Sequence, residues 1–147
     1  MNLVLWRHAD AEDGAPDAER ALTHRGREQA AETARWLKER LPGHYRLLVS
    51  PAVRAQQTAE ALKRREFDTE PAVGLSATPA SVLKAARWPD GDGTVVVVGH
   101  QPTLGCVAAL LLSGTASDLS FKKSAVWWFS RRDDETVLRA VFDPRLG

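Results

Sequence analysis

Apolar and polar positions along the chain follow two periods. Leu3-Val4-Leu5-Trp6 is a short unbroken apolar run, which fits a strand buried on both faces, and it ends in the polar pair Arg7-His8. Residues 9–21 are polar, broken by Gly14 and Pro16, and carry the acids Asp10, Glu12, Asp13 and Asp17, so they read as a loop. Thr23 has the chemistry of a helix N-cap. Beyond it, Ala30, Ala34, Leu37 and Leu41 recur at helical spacing and line one face of a helix that Pro42-Gly43 stops.

The alternation then repeats. Arg46–Val49 reads as a second strand, and Ser50-Pro51 as a helix start with a Ser cap and Pro in the first helical position. That helix carries Val53, Ala55, Thr58, Ala59 and Leu62 and is expected to end near Arg65. Glu70–Val73 is expected as a short edge strand, because Pro71 is excluded from a central one. Pro79–Trp88 reads as a helix with Val82, Leu83 and Ala86 inward. Thr94–Val98, β-branched throughout, is the clearest buried strand. Gly99-His100-Gln101-Pro102 ends it, and Thr103–Leu112 reads as an apolar helix. Ala125–Ser130 and Thr136–Phe142 flank the charged turn 131–135 as a hairpin at the sheet edge. Trp127 and Trp128 then point to opposite faces, one into the core and one partly exposed. Strands alternating with helices predict an α/β protein of three layers. Its central sheet is mostly parallel, with helices on both faces and an antiparallel C-terminal edge hairpin. No repeat, low-complexity tract or linker divides the chain, so residues 1–147 are expected to form a single domain.

Composition removes several function classes. The 147 residues carry 20 Lys+Arg against 19 Asp+Glu, a net charge of +1, which argues against a nucleic-acid binder. The basic triplet Lys63-Arg64-Arg65 is followed at once by Glu66 and Asp68 and reads as a solvated helix end. The one cysteine, Cys106, allows no intrachain disulfide and no cysteine-rich metal cage; within an apolar run it reads as a buried small side chain. No apolar run approaches the ~20 residues of a membrane span. The N-terminal run is too short for a secretion signal, so a cytoplasmic protein without membrane partners is expected. His24 and His44 read as surface residues.

Three junctions share one design, in which a buried strand delivers polar residues at its C-terminal end: Arg7-His8, Ser50 with Arg54, and Gly99-His100. In open α/β sheets that end is where ligands bind, so two histidines and two arginines are expected to converge. Arginine forks match phosphate oxygens, and the N-terminus of the helix after Ser50 is expected to add backbone donors. The composition of the crevice points to a phosphate pocket with a histidine as candidate nucleophile, and with no metal ligand set at recognisable spacing.

Arg7-His8-Ala9, Leu22-Thr23-x-x-Gly26, Ser50-Pro51-x-x-Arg54-Ala55-x-Gln57-Thr58 and Gly99-His100-x-Pro102 resemble, in that order, the histidine phosphatase superfamily. The short chain and its opening look most like the small bacterial SixA-type phosphohistidine phosphatases. The resemblance spans about residues 3 to 130 and implies a phosphoglycerate mutase-like fold. It implies His8 as the nucleophile carrying a phosphohistidine intermediate. Arg7, Arg54 and His100 would hold the phosphoryl oxygens, with Arg20 a further candidate for substrate or phosphate. His100 would act as a charged or a neutral donor. The implied partners are a phosphohistidine-bearing protein, such as a histidine phosphotransfer domain, and inorganic phosphate, with no cofactor.

Two departures from the family stand out. Ala9 replaces the usual Gly, and is tolerable if its φ is negative. The stretch 73–78, where many relatives carry an acidic proton donor, has none, although Asp10 or Glu70 could substitute. Phosphohistidine, which expels an imidazole, has less need of that proton than a phosphate ester. The alternatives are a small-metabolite phosphomonoesterase or mutase of the same superfamily, and a non-catalytic phosphate binder.

Overall fold

The structure, a computed structural model, describes residues 1–145. In chain order the elements are β1 (Asn2–Arg7), α1 (His24–Lys38), β2 (Arg46–Val49), α2 (Val53–Glu60), β3 (Asp68–Thr69), α3 (Pro79–Ala86), β4 (Thr94–Gly99), α4 (Thr103–Ser113), β5 (Val126–Arg132) and β6 (Glu135–Phe142). Single 3-10 turns occupy Asp17–Glu19 and Pro71–Val73. The strands form one sheet in the order β3-β2-β4-β1-β5-β6. The first four are mutually parallel, whereas β5 runs antiparallel to β1 and to β6. This is the expected three-layer α/β architecture.

Strand alternation builds the two core layers. Leu3, Leu5, Leu48, Val95 and Val97 face α3 and α4, meeting Val82, Ala86, Leu104 and Val107. Val4, Trp6, Leu47, Val49, Val96 and Val98 face α1 and α2, meeting Ala34, Leu37, Ala55, Ala59 and Leu62. Because β1 and β4 are buried on both faces, their runs show no alternation in sequence. Each such aliphatic side chain contributes ~1.5–3 kcal/mol by leaving water. Helices on one face lead the chain outward from β1 to β2 and β3, and α3 and α4 on the other face bring it back and across to β5. The direction of winding therefore changes beside β1 and β4.

Several boundaries depart from expectation. Ser50 and Pro51 do not start α2; the chain stays non-helical until Val53, with Ala52 in the capping position and no side-chain cap. The Ser50 hydroxyl is engaged elsewhere, as described below. The helix ends at Glu60, and Lys63, with φ of 55°, turns the chain where three like charges would otherwise share a last turn. The expected strand Glu70–Val73 is shifted to Asp68–Thr69. Glu70 instead caps the following turn by accepting from the Ala72 N–H, and Pro71 supplies its preset φ. The hairpin turn is the pair Asp133-Asp134, both with positive φ, a backbone suited to a two-residue hairpin. Trp127 and Trp128 do take opposite faces, but both are half-buried: Trp127 stacks on Phe121 at 5.0 Å, and Trp128 meets Trp36 edge-on at 6.3 Å. Cys106 is only partly buried. His24 and His44 are exposed as expected.

Candidate active site

The C-terminal ends of β1, β2 and β4 open into a pocket of about 380 Å³ lined by Arg7, His8, Arg54 and His100, together with Asp17, Arg20 and Lys123. All four residues marked by the strand-end argument, and Arg20, are thus brought together. Four cations, Arg7, Arg20, Arg54 and Lys123, face two carboxylates, Asp13 and Asp17. A larger cavity of about 580 Å³ lies at the opposite ends of the strands, beside Asn2, Trp36, Thr94 and Trp128. It gathers neither histidine nor carboxylate, so the smaller pocket is the candidate for chemistry.

His8 is buried, and its Nδ1 lies 2.8 Å from the Ala9 carbonyl oxygen. A carbonyl only accepts, so Nδ1 carries the proton and Nε2 keeps its lone pair. Arg54 Nε donates to that lone pair at 3.3 Å. Burial, first of all, pushes the His8 pKa down to about 3; the bond to Ala9 opposes this, and the charges of His100, Arg54 and Arg7 add to it. The His100 ring lies 5.2 Å from that of His8, and its pKa is pushed down to about 4, mainly by burial and then by Arg54. Both imidazoles are neutral at pH 7. Of the charged and neutral forms left open for His100, burial favours the neutral one. His100 Nε2 lies 2.7 Å from Ser50 Oγ, while Nδ1 is buried without a hydrogen-bond partner.

The motif residues around His8 clamp the loop that follows it. Thr58 accepts from the Ala9 N–H at 3.0 Å and donates to the Arg54 carbonyl at 2.7 Å. Gln57 accepts from the Leu22 N–H, and Gln29 from the Asp10 N–H. Thr23 caps α1 at the Gly26 N–H, and its own N–H reaches the Asp10 carbonyl. A β-carbon at Gly26 would fall against that same carbonyl, so only glycine lets α1 press this close. Ala9 is fully buried and avoids positive φ, so the absence of glycine there brings no strain. From the other side, the Ser124 N–H donates to the His8 carbonyl, and Arg7 Nη1 donates to the Phe121 carbonyl at 2.7 Å. Arg7 Nε is buried without a partner.

Arg54 is 5% exposed at its side chain and is held by Asp17, whose carbonyl accepts from Nη1 at 2.8 Å and whose carboxylate accepts from Nη2 at 3.1 Å. Arg20 Nε donates to the other Asp17 oxygen at 3.0 Å, so Arg20 reaches the pocket alongside Asp17. These two bonds keep Asp17 ionised below the usual carboxylate range. Sequence reasoning treated Asp17 as one loop acid among several and missed this role; its spacing from Arg20 was the available signal. Neither acid offered as a proton donor lines the pocket. Asp10 is held ionised by Lys123 at 2.6 Å and by Thr23, and Glu70 is occupied as a cap. The first turn of α2 contributes the Arg54 side chain; the expected backbone donors at residues 50–53 do not line the pocket.

Residues 3–76 match the histidine phosphatase superfamily, branch 1. The chain belongs to that family. It is 36% identical over 137 residues to an uncharacterised protein of Picosynechococcus, covering 86% of this chain and 82% of that one. It is 32% identical over 134 residues to the phosphohistidine phosphatase SixA of Escherichia coli, covering 86% and 83%. The structure of a SixA protein histidine phosphatase complexed with tungstate matches with a TM-score of 0.85 at 27% identity, over 99% of both chains. Within the superfamily the chain is of the SixA type, and its phosphoglycerate mutase-like fold is that of these neighbours.

Proposed function

We propose that this phosphatase removes the phosphoryl group from a phosphohistidine side chain on a signalling or phosphotransfer protein. The observation that carries the reading is the His8 imidazole, held neutral with its Nε2 lone pair facing a pocket of guanidinium groups. Likeness to proteins named as phosphohistidine phosphatases supports the substrate class. In the first step the His8 Nε2 lone pair, released by Arg54 Nε, attacks phosphorus in line; the substrate ring carries a proton on its other nitrogen, so the P–N bond breaks with its electron pair passing to a departing neutral imidazole. One P–N bond replaces another, so the transfer is nearly balanced in energy. In the second step water attacks phospho-His8 and releases inorganic phosphate. Arg7, Arg54 and His100 hold the phosphoryl oxygens and stabilise their charge, with Arg20 at the rim. The protein field is cationic without a metal ion, so a chelator leaves the rate unchanged.

A second reading, a phosphomonoesterase for small metabolites, draws on the carboxylates Asp13 and Asp17 at the pocket. An alkoxide leaving group needs a proton, and Asp17 is held as its ionised form. Turnover of a phosphohistidine protein beside a panel of phosphate esters separates the two readings. A base-stable, acid-labile phosphoryl group trapped on wild-type protein and missing from His8→Ala is the expected result. Equal labelling of His8→Ala rejects His8 as nucleophile.

A further inference from the structure

Ser50 is fully buried, and among the described residues its hydroxyl has two hydrogen-bond partners. Its Oγ accepts from the Ala52 N–H at 3.2 Å and lies 2.7 Å from His100 Nε2. A serine hydroxyl carries a single proton, and among the hydrogen bonds of Ser50 only His100 Nε2 offers that proton an acceptor. Were Nε2 itself protonated, it would donate to Oγ. The buried Ser50 proton would then have nowhere to go, and His100 Nδ1 would be left as a buried lone pair with no partner. With the opposite assignment every group between Ala52 and His100 is satisfied, and the one ring nitrogen without a protein partner, Nδ1, bears a proton.

We propose that Ser50 is a positioning residue that fixes His100 as the Nδ1–H tautomer, so that a neutral imidazole donates to a phosphoryl oxygen. The inference rests on the phosphoryl-transfer reading of the pocket and deepens it. The two histidines then hold the same tautomer for opposite uses. In His8 the carbonyl of Ala9 takes the Nδ1 proton and leaves a lone pair to attack; in His100 the Ser50 hydroxyl fills the Nε2 lone pair and leaves a proton to donate. A neutral donor of this kind polarises the phosphoryl group without adding a third full charge beside Arg7 and Arg54. The serine that reads in sequence as a helix cap thereby serves the His100 ring while its oxygen accepts from the Ala52 N–H, ahead of the helix that starts at Val53.

Long-range proton–nitrogen correlation spectra of nitrogen-15-labelled protein, alone and with vanadate, read the tautomer directly. The expected wild-type spectrum shows a protonated, pyrrole-type Nδ1 and a pyridine-type Nε2 for His100. In Ser50→Ala that signature is lost and kcat falls by about 10²-fold, the scale of one missing oxyanion donor. An Nε2–H signal in the wild type overturns the proposal, even where Ser50→Ala fails to fold. So does a folded Ser50→Ala that keeps either the Nδ1–H form or the wild-type kcat. The spectra and kcat on an aryl phosphate do not depend on the phosphohistidine substrate. A wild type inactive on phosphohistidine protein would therefore reject the substrate reading and leave this test standing.

Discussion

The rings of His8 and His100 are the two titratable groups most displaced from their ordinary values, and burial is the first cause for both. If His8 is the nucleophile, as proposed, its neutral form persists to about pH 3 and gives no acid limb near 6.5. With the ionisation of the substrate divided out, kcat/KM for the free enzyme should stay level from pH 8 to below 5; an essential base titrating near 6.5 would contradict the geometry. Arg54 bonds to His8 Nε2, the nitrogen proposed to attack, and reaches Asp17 with its two terminal nitrogens. Arg54→Ala should lower kcat by about 10²–10³-fold, and Arg54→Lys should recover little because an ammonium has no fork. Asp17→Asn should act in the opposite direction on oxyanion binding. The Asp17 carbonyl still anchors Nη1, while the carboxylate that competes with an incoming phosphoryl group is gone. Vanadate inhibition should tighten roughly two- to fivefold, the range of a solvent-accessible ion pair. Weaker inhibition would show that the carboxylate, and not the backbone, sets the position of Arg54.

Among the elements, those made by one physical cause were legible in the sequence and those made by two were not. Val95–Val98 and Leu3–Trp6 are buried on both faces, so composition alone marks them, and the polar residues at their ends mark the site. Thr23 caps its helix as its chemistry predicts, and the structure adds Thr78 as the cap of α3. Ser50 has equal cap chemistry, but its hydroxyl accepts from Ala52 ahead of the helix and also meets a strand-end imidazole 50 positions away, and local sequence carries no sign of that contact. The same holds for Asp17 and Lys123, whose partners Arg54 and Asp10 lie 37 and 113 residues away. Gln57 and Thr58 were visible as motif letters, but their targets, the N–H groups of Leu22 and Ala9, were not. That clamp gives an element-scale prediction. Thr58→Val keeps the shape and leaves the buried Ala9 N–H without an acceptor. Denaturant unfolding should register a loss of about 1–3 kcal/mol, and Thr58→Ser should recover most of it. If Thr58→Val is as stable as wild type, α2 does not hold the nucleophile loop through this bond.

At the scale of the whole molecule, the site trades acid stability for reactivity. His8 and His100 are neutral in the fold but take up protons near pH 6.5 once the chain unfolds, so the unfolded state binds more protons at acid pH. Stability is full above about pH 6.5 and declines toward pH 4, by up to about 1.4 kcal/mol per pH unit for each histidine. A His8→Gln variant should therefore gain stability on wild type at pH 5 and not at pH 8; an equal difference at both would show that His8 is not buried as a neutral ring. The same architecture bears on the proposed substrate class. The segment 73–78 brings no acid to the pocket, Asp10 and Glu70 are bound elsewhere, and Asp17 is held ionised. Neither Asp10 nor Asp17 keeps a carboxyl proton for an alkoxide, whereas a phosphohistidine ring protonated at its other nitrogen leaves as neutral imidazole, the conjugate base of an acid of pKa near 6.5. General-acid help is worth ~10²–10⁴-fold, and kcat/KM should favour phosphohistidine over a simple alkyl phosphate by about that factor. An aryl phosphate, whose leaving group is less basic than an alkoxide, should fall between them. Comparable efficiency on all three, lost in Asp17→Asn or in Asp13→Asn, would reveal a working proton donor in the pocket and turn the assignment to small phosphate esters.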